Sequence, residues 1–359
     1  MTTKDIHVIV VGAEWYGDWA HDVYVALKNL NVSSEIVYTN SVAGLSGGET
    51  ASIWKKLFQF GKDTLRKVSG SLFNRLKQAR AKAAESEVIN RVDTYSDKNK
   101  QIIALFIWTP LGADVLKKLQ DRGVRCILWQ GEPAANDERW QATFDYFEHM
   151  FIIDEGFKKN FPASILARST VLPLATSEFV HYPLPEPASE FTSEVAFIGL
   201  YRQGRASILS SLKDFNLKIY GYGWQEGFSE FPWLKTSYQG PLTAEETNKV
   251  FNSATISIGR LALSFEPETG QTTNQRVFDI SAAKGFQLTQ YADSTPEFFG
   301  DTVVMFNSRE ELIDKVRYYL AHPEERRQLA EKAYSITIQE HTYTARVKEI
   351  LKTINIVVE

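Results

Sequence analysis

One short segment, Thr272–Gly285 (TTNQRVFDISAAKG), carries the residue types that bind phosphate and ribose. It places Asn274, Arg276 and Asp279 in the first turns of a predicted helix whose other residues are small or apolar. A carboxylate at this place can accept hydrogen bonds from two ribose hydroxyls, while the arginine and the helix amides contact a phosphate. The alternative is an i, i+3 pair of Arg276 and Asp279 on a helix surface, and the segment alone leaves both interpretations open.

A second segment, Val195–Arg205 (VAFIGLYRQGR), has the pattern of a strand, a glycine-containing loop and the start of a helix. Such a junction offers backbone amides and the positive end of a helix to an anion, and Arg202 and Arg205 add positive charge. The same pattern also suits a plain turn at Gly199 followed by surface arginines. The segment is therefore a phosphate-loop candidate that carries little weight by itself.

Bulk properties argue against several other classes of function. The formal net charge of −4 argues against nucleic-acid binding. The six histidines have no paired spacing and the one cysteine, Cys126, lies in an apolar run, so we predict no metal site and no disulfide. The polar start Met1–Asp5 leads straight into a predicted strand, and no apolar stretch approaches the roughly 20 residues of a membrane span. We therefore expect a cytoplasmic protein.

The elements that position the two segments alternate between strand and helix. A chain of 359 residues is too long for one ordinary core, which favours two domains. The predicted strands of the N-terminal half are His7–Gly12, Glu35–Tyr38, Ile102–Trp108, Arg125–Trp129 and His149–Ile153. Those of the C-terminal half are Val195–Gly199, Lys218–Gly221, Thr255–Ile258, Phe286–Gln290 and Thr302–Phe306. This alternation predicts an α/β protein of two Rossmann-like, doubly wound domains facing a cleft, with ligands beyond the carboxyl ends of the strands.

Between the two halves the alternation lapses. Prolines occupy every second position at Pro183, Pro185 and Pro187, which is typical of a stiff, extended connector. We therefore predict an N-terminal domain over 1–175, a linker over 176–192, a C-terminal domain over 193–341 and a terminal helix over 342–359.

One stretch of the N-terminal half, Ile53–Ala83, has apolar residues spaced by three or four and predicts a long amphipathic helix. Its other face carries nine basic residues and a single acid, Asp63. Such a helix is a candidate for an anionic membrane surface or a phosphate-bearing acceptor. The alternative is a helix that packs on the N-terminal sheet and exposes its charged face to solvent.

The C-terminal half resembles a known family. The run from VAFIGLYRQGR through LKIYGYGW, ISIGR, NQRVFDISAAKGFQLTQY and REELIDKVRYYLAHPEERRQLAEKA to EHTY is similar to the spore-maturation-protein-type glycosyltransferases (glycosyl transferases group 1). The resemblance is strong over about Glu194–Ile354. The N-terminal half resembles the more variable domain of that family mainly through NRVDTYS, QIIALFIW and RCILWQGEP. It implies a GT-B fold, in which the terminal helix often crosses back to the N-terminal domain.

The resemblance also implies a donor site. Asp279 stands where the family usually has a glutamate that binds the donor ribose. The other implied donor-binding positions are Asn274 and Arg276 at the phosphate turn, Gly199 and Arg205 at the first loop, and Tyr220 and Gly221 beside the base. We add Arg202 and Arg260 to the predicted donor site. Related retaining enzymes carry two acids eight positions apart, but here the pair is Gln271 and Asp279. The missing first acid leaves the choice between inversion and retention open.

Sugar transfer needs a group that removes the proton of the acceptor hydroxyl. Two acids follow predicted strands of the N-terminal domain, Asp18 and Glu132. We favour Glu132, because it matches the family's acid before a proline. Each acid has a structural alternative at the start of a helix.

The sequence therefore predicts a metal-independent, hexosyltransferase-like enzyme without a cofactor. It would move a sugar from a nucleotide-diphosphate sugar to a hydroxyl of a glycan, glycolipid or other acceptor. The alternatives are a nucleotide-sugar epimerase of the same fold and a non-catalytic sugar- or surface-binding protein. The sugar, the base, the acceptor and the oligomeric state stay open.

Overall fold

The chain forms two compact units. In this computed structural model, residues 1–14, 19–39, 70–96, 100–108, 111–131, 138–265 and 273–358 are described. The first unit comprises Met1–Leu172 together with Val347–Glu359, and the second unit comprises Pro173–Arg346. Each unit is built on its own parallel sheet.

The first unit contains a six-stranded parallel sheet in the order β2-β1-β3-β4-β5-β6. Its strands are β1 (Ile6–Gly12), β2 (Ser34–Tyr38), β3 (Gln101–Ile107), β4 (Arg125–Gln130), β5 (His149–Ile152) and β6 (Ser169–Val171). All residues of β1 are buried, because a parallel sheet is covered on both faces and its central strands need continuous apolar runs. The chain runs from β1 to β2 on one side and places β3 on the other, so the strand order switches between β1 and β3.

Helices cover this sheet. They are α1 (Trp19–Asn29), α2 (Gly70–Ser96), α3 (Ala113–Gln120), α4 (Glu138–Phe144) and α5 (Ala163–Leu166). Helix α2 packs against β1, β2 and β3 through Ala84, Val88 and Val92, which recur every four residues and are buried. Of the predicted basic helix 53–83, residues 70–83 are helical here, and 53–69 lie outside the described residues.

The second unit contains a six-stranded parallel sheet in the order β12-β11-β10-β7-β8-β9. Its strands are β7 (Ser193–Ile198), β8 (Leu217–Tyr220), β9 (Tyr238–Gly240), β10 (Ala254–Ile258), β11 (Gln287–Gln290) and β12 (Val304–Phe306). This is the order 3-2-1-4-5-6 of a dinucleotide-binding sheet, with the switch point between β7 and β10.

The helices of the second unit follow its strands. They are α6 (Gln203–Leu209), α7 (Leu234–Ser237), α8 (Ala244–Ser253), α9 (Gln275–Ala282), α10 (Ser294–Phe299), α11 (Arg309–Ala321) and α12 (Pro323–Glu340). The last helix, α13 (Tyr343–Thr353), begins in the second unit, and its residues from Val347 onward belong to the first. Short 3-10 helices lie at Thr3–Asp5, Glu155–Asn160, Ser189–Phe191, Ser210–Leu212 and Trp224–Gly227.

The segment 176–192, for which we predicted a linker, belongs to the second unit. Side chains of α8 hold its backbone. The amide nitrogens of Tyr182 and Leu184 donate to Asn248 and Asn252 at 3.2 and 2.7 Å, and that of Ala188 donates to Ser253 at 2.9 Å. The predicted linker is therefore fixed to α8 at these three positions.

No helix within the described ranges is both long and apolar enough to cross a membrane.

Candidate functional site

The candidate site lies where β7 and β10 end. The two strands are neighbours, with Phe197 opposite Ile258, and the strand order switches between them. Open parallel sheets place ligands beyond the carboxyl ends of their strands at such a point. We call the residues directly following β7, β8, β10 and β11 the second carboxyl edge.

Glycines allow the backbones of this edge to approach closely. Gly221 has a φ of +123°, and a Cβ atom there would lie 2.1 Å from the carbonyl oxygen of Gly199. The amide nitrogens of Gly199 and Tyr201 donate to the carbonyl oxygens of Tyr220 and Tyr222, both at 2.9 Å. These two amides are therefore engaged within the unit, and the loop after β7 offers fewer backbone donors to an anion than its sequence predicts.

Three arginines at this edge form a cluster, and each is anchored on a backbone carbonyl oxygen. Arg276 Nη1 donates to Gly259 O at 3.0 Å, and Arg260 Nη1 donates to Tyr291 O at 3.0 Å. Arg205 donates to Leu261 O at 3.0 Å and to Leu200 O at 3.1 Å. We call Arg205, Arg260 and Arg276 the arginine cluster.

The cluster is electrostatically strained. Burial, together with the charge of Arg205, lowers the pKa of Arg276 to about 10. Burial and the same neighbour lower the pKa of Arg260, while burial and Arg202 lower the pKa of Arg205. All three remain cationic at neutral pH, and an anion placed among them would relieve their mutual repulsion.

Asp279 lies beside the cluster on α9 and is 9% exposed. Thr176 Oγ1 donates to its Oδ1 at 2.8 Å, and His181 Nε2 lies 3.8 Å from the same oxygen. Burial raises the pKa of the Asp279 carboxyl above its ordinary value, and His181, Thr176 and Arg276 oppose that rise. The guanidinium of Arg276, in turn, lies over the ring of Phe197 at 5.3 Å. The pair is therefore not an exposed i, i+3 pair on a helix surface, because each side chain has its own buried partners.

The turn before α9 is fixed by hydroxyl groups. Thr273 donates its amide to Ser294 Oγ at 2.9 Å, and its own hydroxyl lies 2.8 Å from those of Ser294 and Thr295. Asn274 is the N-cap residue of α9 without a side-chain cap bond, and its buried Oδ1 has no hydrogen-bond partner among the described residues. This turn therefore holds Asn274 and Arg276 in fixed positions at the edge.

Two residues that were predicted to bind the nucleotide-sugar donor, Tyr220 and Arg202, have different surroundings from those expected. Tyr220 is 2% exposed and packs with Ala196 and Val250, so its side chain is part of the core and only its backbone reaches the edge. Burial raises the pKa of its phenol to about 12. Arg202 is exposed and donates to the carbonyl oxygen of its neighbour Tyr201 at 2.8 Å.

Thr176 and His181 are the two residues of the site that sequence reasoning missed. They lie 103 and 98 positions before Asp279, in the predicted linker. A pattern of apolar periodicity holds no signal for a contact of this kind, because the segment forms neither a helix nor a strand of the sheet.

The corresponding edge of the first unit is aromatic. We call the residues directly following β1, β3 and β4 the first carboxyl edge. Trp108 has a φ of +73°, which is unusual for a bulky residue, and its ring lies 4.8 Å from that of Trp19. A Cβ atom at Gly131 would lie 2.5 Å from Trp108, so only glycine leaves room for this indole. The predicted catalytic acids Asp18 and Glu132 lie outside the described residues.

Other features of the described residues bear on the site. No group of three His, Cys, Asp or Glu side chains in these ranges is placed to hold a metal ion. Two shallow cavities lie at the amino ends of β3 and β4, at the opposite edge of the first sheet, and the ion pairs Arg125–Glu148 and Arg168–Asp145 border the second of them.

Part of the chain matches a protein family. Residues 202–352 match a family model described as glycosyl transferase-like. A stretch of 70 residues is 31% identical to the spore protein CgeB of Bacillus subtilis (strain 168), which is 20% of this chain and 21% of that protein. The matched stretch thus spans about a fifth of the relative's length.

Several solved structures are similar over nearly the whole chain. A glycosyltransferase from Rickettsia africae has a TM-score of 0.61 at 11% identity and covers 97% of both chains. A sucrose-phosphate synthase from Thermosynechococcus elongatus has a TM-score of 0.63 at 10% identity and covers 98% of both chains. HepE of Anabaena in complex with UDP has a TM-score of 0.59 at 8% identity and covers 98% of this chain and 99% of that one. The predicted fold, two Rossmann-like doubly wound domains of the GT-B type, is confirmed.

Proposed function

We propose that this chain, whose family match and fold are those of GT-B glycosyltransferases of the group 1 type, transfers a sugar from a nucleotide-diphosphate sugar to a hydroxyl acceptor. The observation that carries the proposal is the arginine cluster beside the buried carboxylate of Asp279, at the switch point of the second sheet. A nucleoside diphosphate has the matching chemistry, because it joins a polyanion to a ribose with two adjacent hydroxyls.

Each group has a role in this proposal. Arg205 and Arg276 contact the diphosphate, and because their backbone partners pre-set their positions, little ordering is needed when the anion binds. Asp279 accepts the ribose hydroxyls. As the bond between sugar and diphosphate breaks, negative charge grows on the leaving group, and the same cations stabilise it. The structure of HepE with UDP-glucose, a protein of the same fold, supports a donor of this class.

The acceptor side is a proposal for the first unit. A base must take the proton of the acceptor hydroxyl, and Glu132 is our first candidate, with Asp18 as the second. Glu132→Gln should lower turnover by about two to four orders of magnitude and leave nucleotide affinity unchanged. If turnover stays near normal, Asp18 is the next residue to test.

Nucleotide binding is tested by thermal shift with UDP, ADP and GDP. A nucleoside diphosphate that binds the folded chain raises its melting temperature. Arg276→Ala should weaken binding by about 10- to 150-fold, since a hydrogen bond to a charged group contributes roughly 1.5–3 kcal/mol. Arg326→Ala is the matched control, because Arg326 is also partly buried and bonded to backbone carbonyls, but it lies on α12 and its partners are carbonyl oxygens of α11.

The outcomes separate the alternatives. If no nucleoside diphosphate shifts the melting temperature at millimolar concentration, the assignment of this site to donor binding is wrong. Binding that survives EDTA supports metal independence. Release of free nucleotide and a rearranged sugar in the absence of any acceptor would indicate an epimerase, and nucleotide binding without turnover on any acceptor would indicate a binding protein.

Membrane association of the stretch 53–83 is a separate prediction. If it docks on anionic lipid, sedimentation with vesicles rises with their phosphatidylserine content and falls with salt. Absence of sedimentation at low salt would leave the stretch as a packing element of the first unit or a protein interface.

A further inference from the structure

The carboxylate of the donor site is held by residues outside the region that matches the family model. Thr176 and His181 both contact Asp279 Oδ1, at 2.8 and 3.8 Å, whereas the match begins at residue 202. We call residues 176–188 the strap. The strap and α9 are far apart in sequence, so the contact exists only because the strap is fixed on the second unit.

Thr176 is locked by its backbone. Its amide nitrogen donates to His341 O at 2.9 Å, and its carbonyl oxygen accepts from the amide of Tyr343 at 3.0 Å. The residue is fully buried. Its hydroxyl therefore has little freedom to follow Asp279, and it instead determines where the carboxylate points.

His181 is fixed as well. Its amide donates to Ser177 O at 2.8 Å, and its ring lies 5.7 Å from that of Phe251. The next residue, Tyr182, is bonded to Asn248, and two positions further Leu184 is bonded to Asn252. The ring nitrogen that faces Asp279 is thus presented by a strap that cannot swing away without breaking these bonds.

Both partners favour the charged form of Asp279. Burial penalises the carboxylate, and the hydroxyl donated by Thr176 and the imidazole of His181 beside the same oxygen offset that penalty. Thr176 uses one of about four acceptor positions on the carboxylate and the side chain of Gln275 uses another, which leaves about two for a ligand. A ligand that donates two adjacent hydroxyls is the natural complement of such a group.

We propose that Thr176 and His181 are positioning residues, which hold Asp279 oriented and ionised so that the site selects ribonucleotide donors over 2′-deoxyribonucleotide donors. This inference rests on the proposed function. It assigns the ribose selectivity to the strap as well as to residues 202–352, which match the family model. Thr176 and His181 act only through Asp279.

The experiment measures affinity for UDP, ADP and GDP and for their 2′-deoxy counterparts. The wild-type chain should prefer the ribose form of the bound nucleotide by about 10-fold or more, the value of one hydrogen bond to a charged group. Thr176→Val, which keeps the shape and removes the donor, should reduce that preference to near parity. Thr176→Ser keeps the hydroxyl and should retain it.

His181→Phe preserves a ring against Phe251 and should lower the preference less than Thr176→Val, because 3.8 Å is longer than a hydrogen bond. Arg276→Ala should weaken both nucleotide forms by the same factor, since it contacts phosphate. Circular dichroism and the urea midpoint of each variant show whether it is folded. If Thr176→Val does not fold, the comparison of wild type, Thr176→Ser and His181→Phe carries the test.

Different results would contradict the proposed function and the positioning role of the strap. If no nucleoside diphosphate binds, the proposed function is wrong. If one binds in an Arg276-dependent manner but the ribose preference is absent, or is unchanged in both Thr176→Val and His181→Phe, the positioning role is overturned while the donor site stands. In a folded Thr176→Val variant, the ribose preference should also appear only at higher pH than in the wild type, because the carboxylate has lost a stabilising donor. A merely structural role would not move that pH.

Discussion

The two units share a parallel doubly wound sheet, yet their carboxyl edges have opposite chemistry. The second carboxyl edge carries the arginine cluster and one buried carboxylate. The described residues within two positions of the ends of β1, β3, β4 and β5 include neither lysine nor arginine, whereas the same stretch after β10 includes Arg260, and α6 and α9 add Arg205 and Arg276. Instead, Trp19, Trp108 and Gly131 lie together at the first carboxyl edge.

The comparison teaches how one fold divides its tasks. A cationic edge suits an anionic donor, whereas an aromatic edge without described cations suits a neutral, ring-shaped ligand, because sugar rings stack on indoles and the Trp108 side chain is partly exposed. Trp108 holds a left-handed backbone conformation that costs roughly 1–3 kcal/mol, and such strain is typical of functional sites. We therefore place the acceptor, as a proposal, at the first carboxyl edge.

The largest expected effect tests the second carboxyl edge. Gly221→Ala combines a φ of +123° with a Cβ atom 2.1 Å from a backbone oxygen. We expect a loss of roughly 2–6 kcal/mol, the sum of backbone strain and overpacking, and a loss of nucleotide binding. Urea unfolding and a nucleoside diphosphate titration measure the two effects.

Gly240→Ala is the matched control for that substitution. Gly240 also has a positive φ, +106°, but a Cβ atom there meets nothing within 4 Å. It should cost only the strain, about 1–3 kcal/mol, and leave nucleotide affinity intact. Equal effects of the two substitutions would mean that the close approach of Gly221 to Gly199 has no importance.

A medium effect tests the first carboxyl edge. Gly131→Ala places a Cβ atom 2.5 Å from Trp108 and 2.9 Å from Trp19. We expect a loss of roughly 1–3 kcal/mol and lower turnover, with nucleotide affinity unchanged. Gly123→Ala is the control in the same unit, because its φ of +73° in open surroundings should cost a similar amount of stability, roughly 1–3 kcal/mol, and leave turnover unchanged. A parallel loss of nucleotide affinity in Gly131→Ala would break the division between the two edges.

The smallest expected effect concerns the charge of Asp279. Because its folded-state pKa is raised above the ordinary 3.8, its contribution to stability is fully present below pH 3.8 and is lost as pH rises through the folded-state pKa. Asp279→Asn removes the charge, so it should raise the melting temperature at pH 7.5 while weakening ribonucleotide binding.

The gain in melting temperature should shrink as the pH falls toward 4. Asp214→Asn, at an exposed position of the same unit, should change neither stability nor binding. A lower melting temperature of Asp279→Asn at pH 7.5 would show that the hydrogen bonds of the carboxylate outweigh its desolvation.

Much of the fold could be predicted because buried parallel strands need continuous apolar runs. Ile6–Gly12 was predicted to within one residue, whereas Ser169–Val171 and Tyr238–Gly240 were missed. These two strands have three residues each and are partly exposed, so they carry no apolar run that a pattern detects. Edge strands of this length form because the rest of the sheet is already there.

The candidate site was predictable only where its residues are close in sequence. The spacing of Arg276 and Asp279 in a helix start indicates their proximity, which the structure has. The sequence does not indicate that Thr176 contacts Asp279, or that the amide of Gly199 donates a hydrogen bond to the carbonyl oxygen of Tyr220. Both depend on packing between separate elements, and a local pattern contains no such information.

The first unit is formed by two segments from opposite ends of the chain, which has a consequence for the order in which the units fold. Its last residues, Val347–Glu359, are translated after the whole second unit. The carbonyl oxygen of Val357 accepts a hydrogen bond from the amide of Thr3 at 3.0 Å, and that of Ile354 accepts one from the guanidinium of Arg125 at 2.8 Å. Domains generally fold as they leave the ribosome, and here the second unit is contiguous and can finish first. The first unit is thus the first to be synthesised and the last to be completed. A nascent chain that stops before Val347 contains a complete second unit and an incomplete first unit.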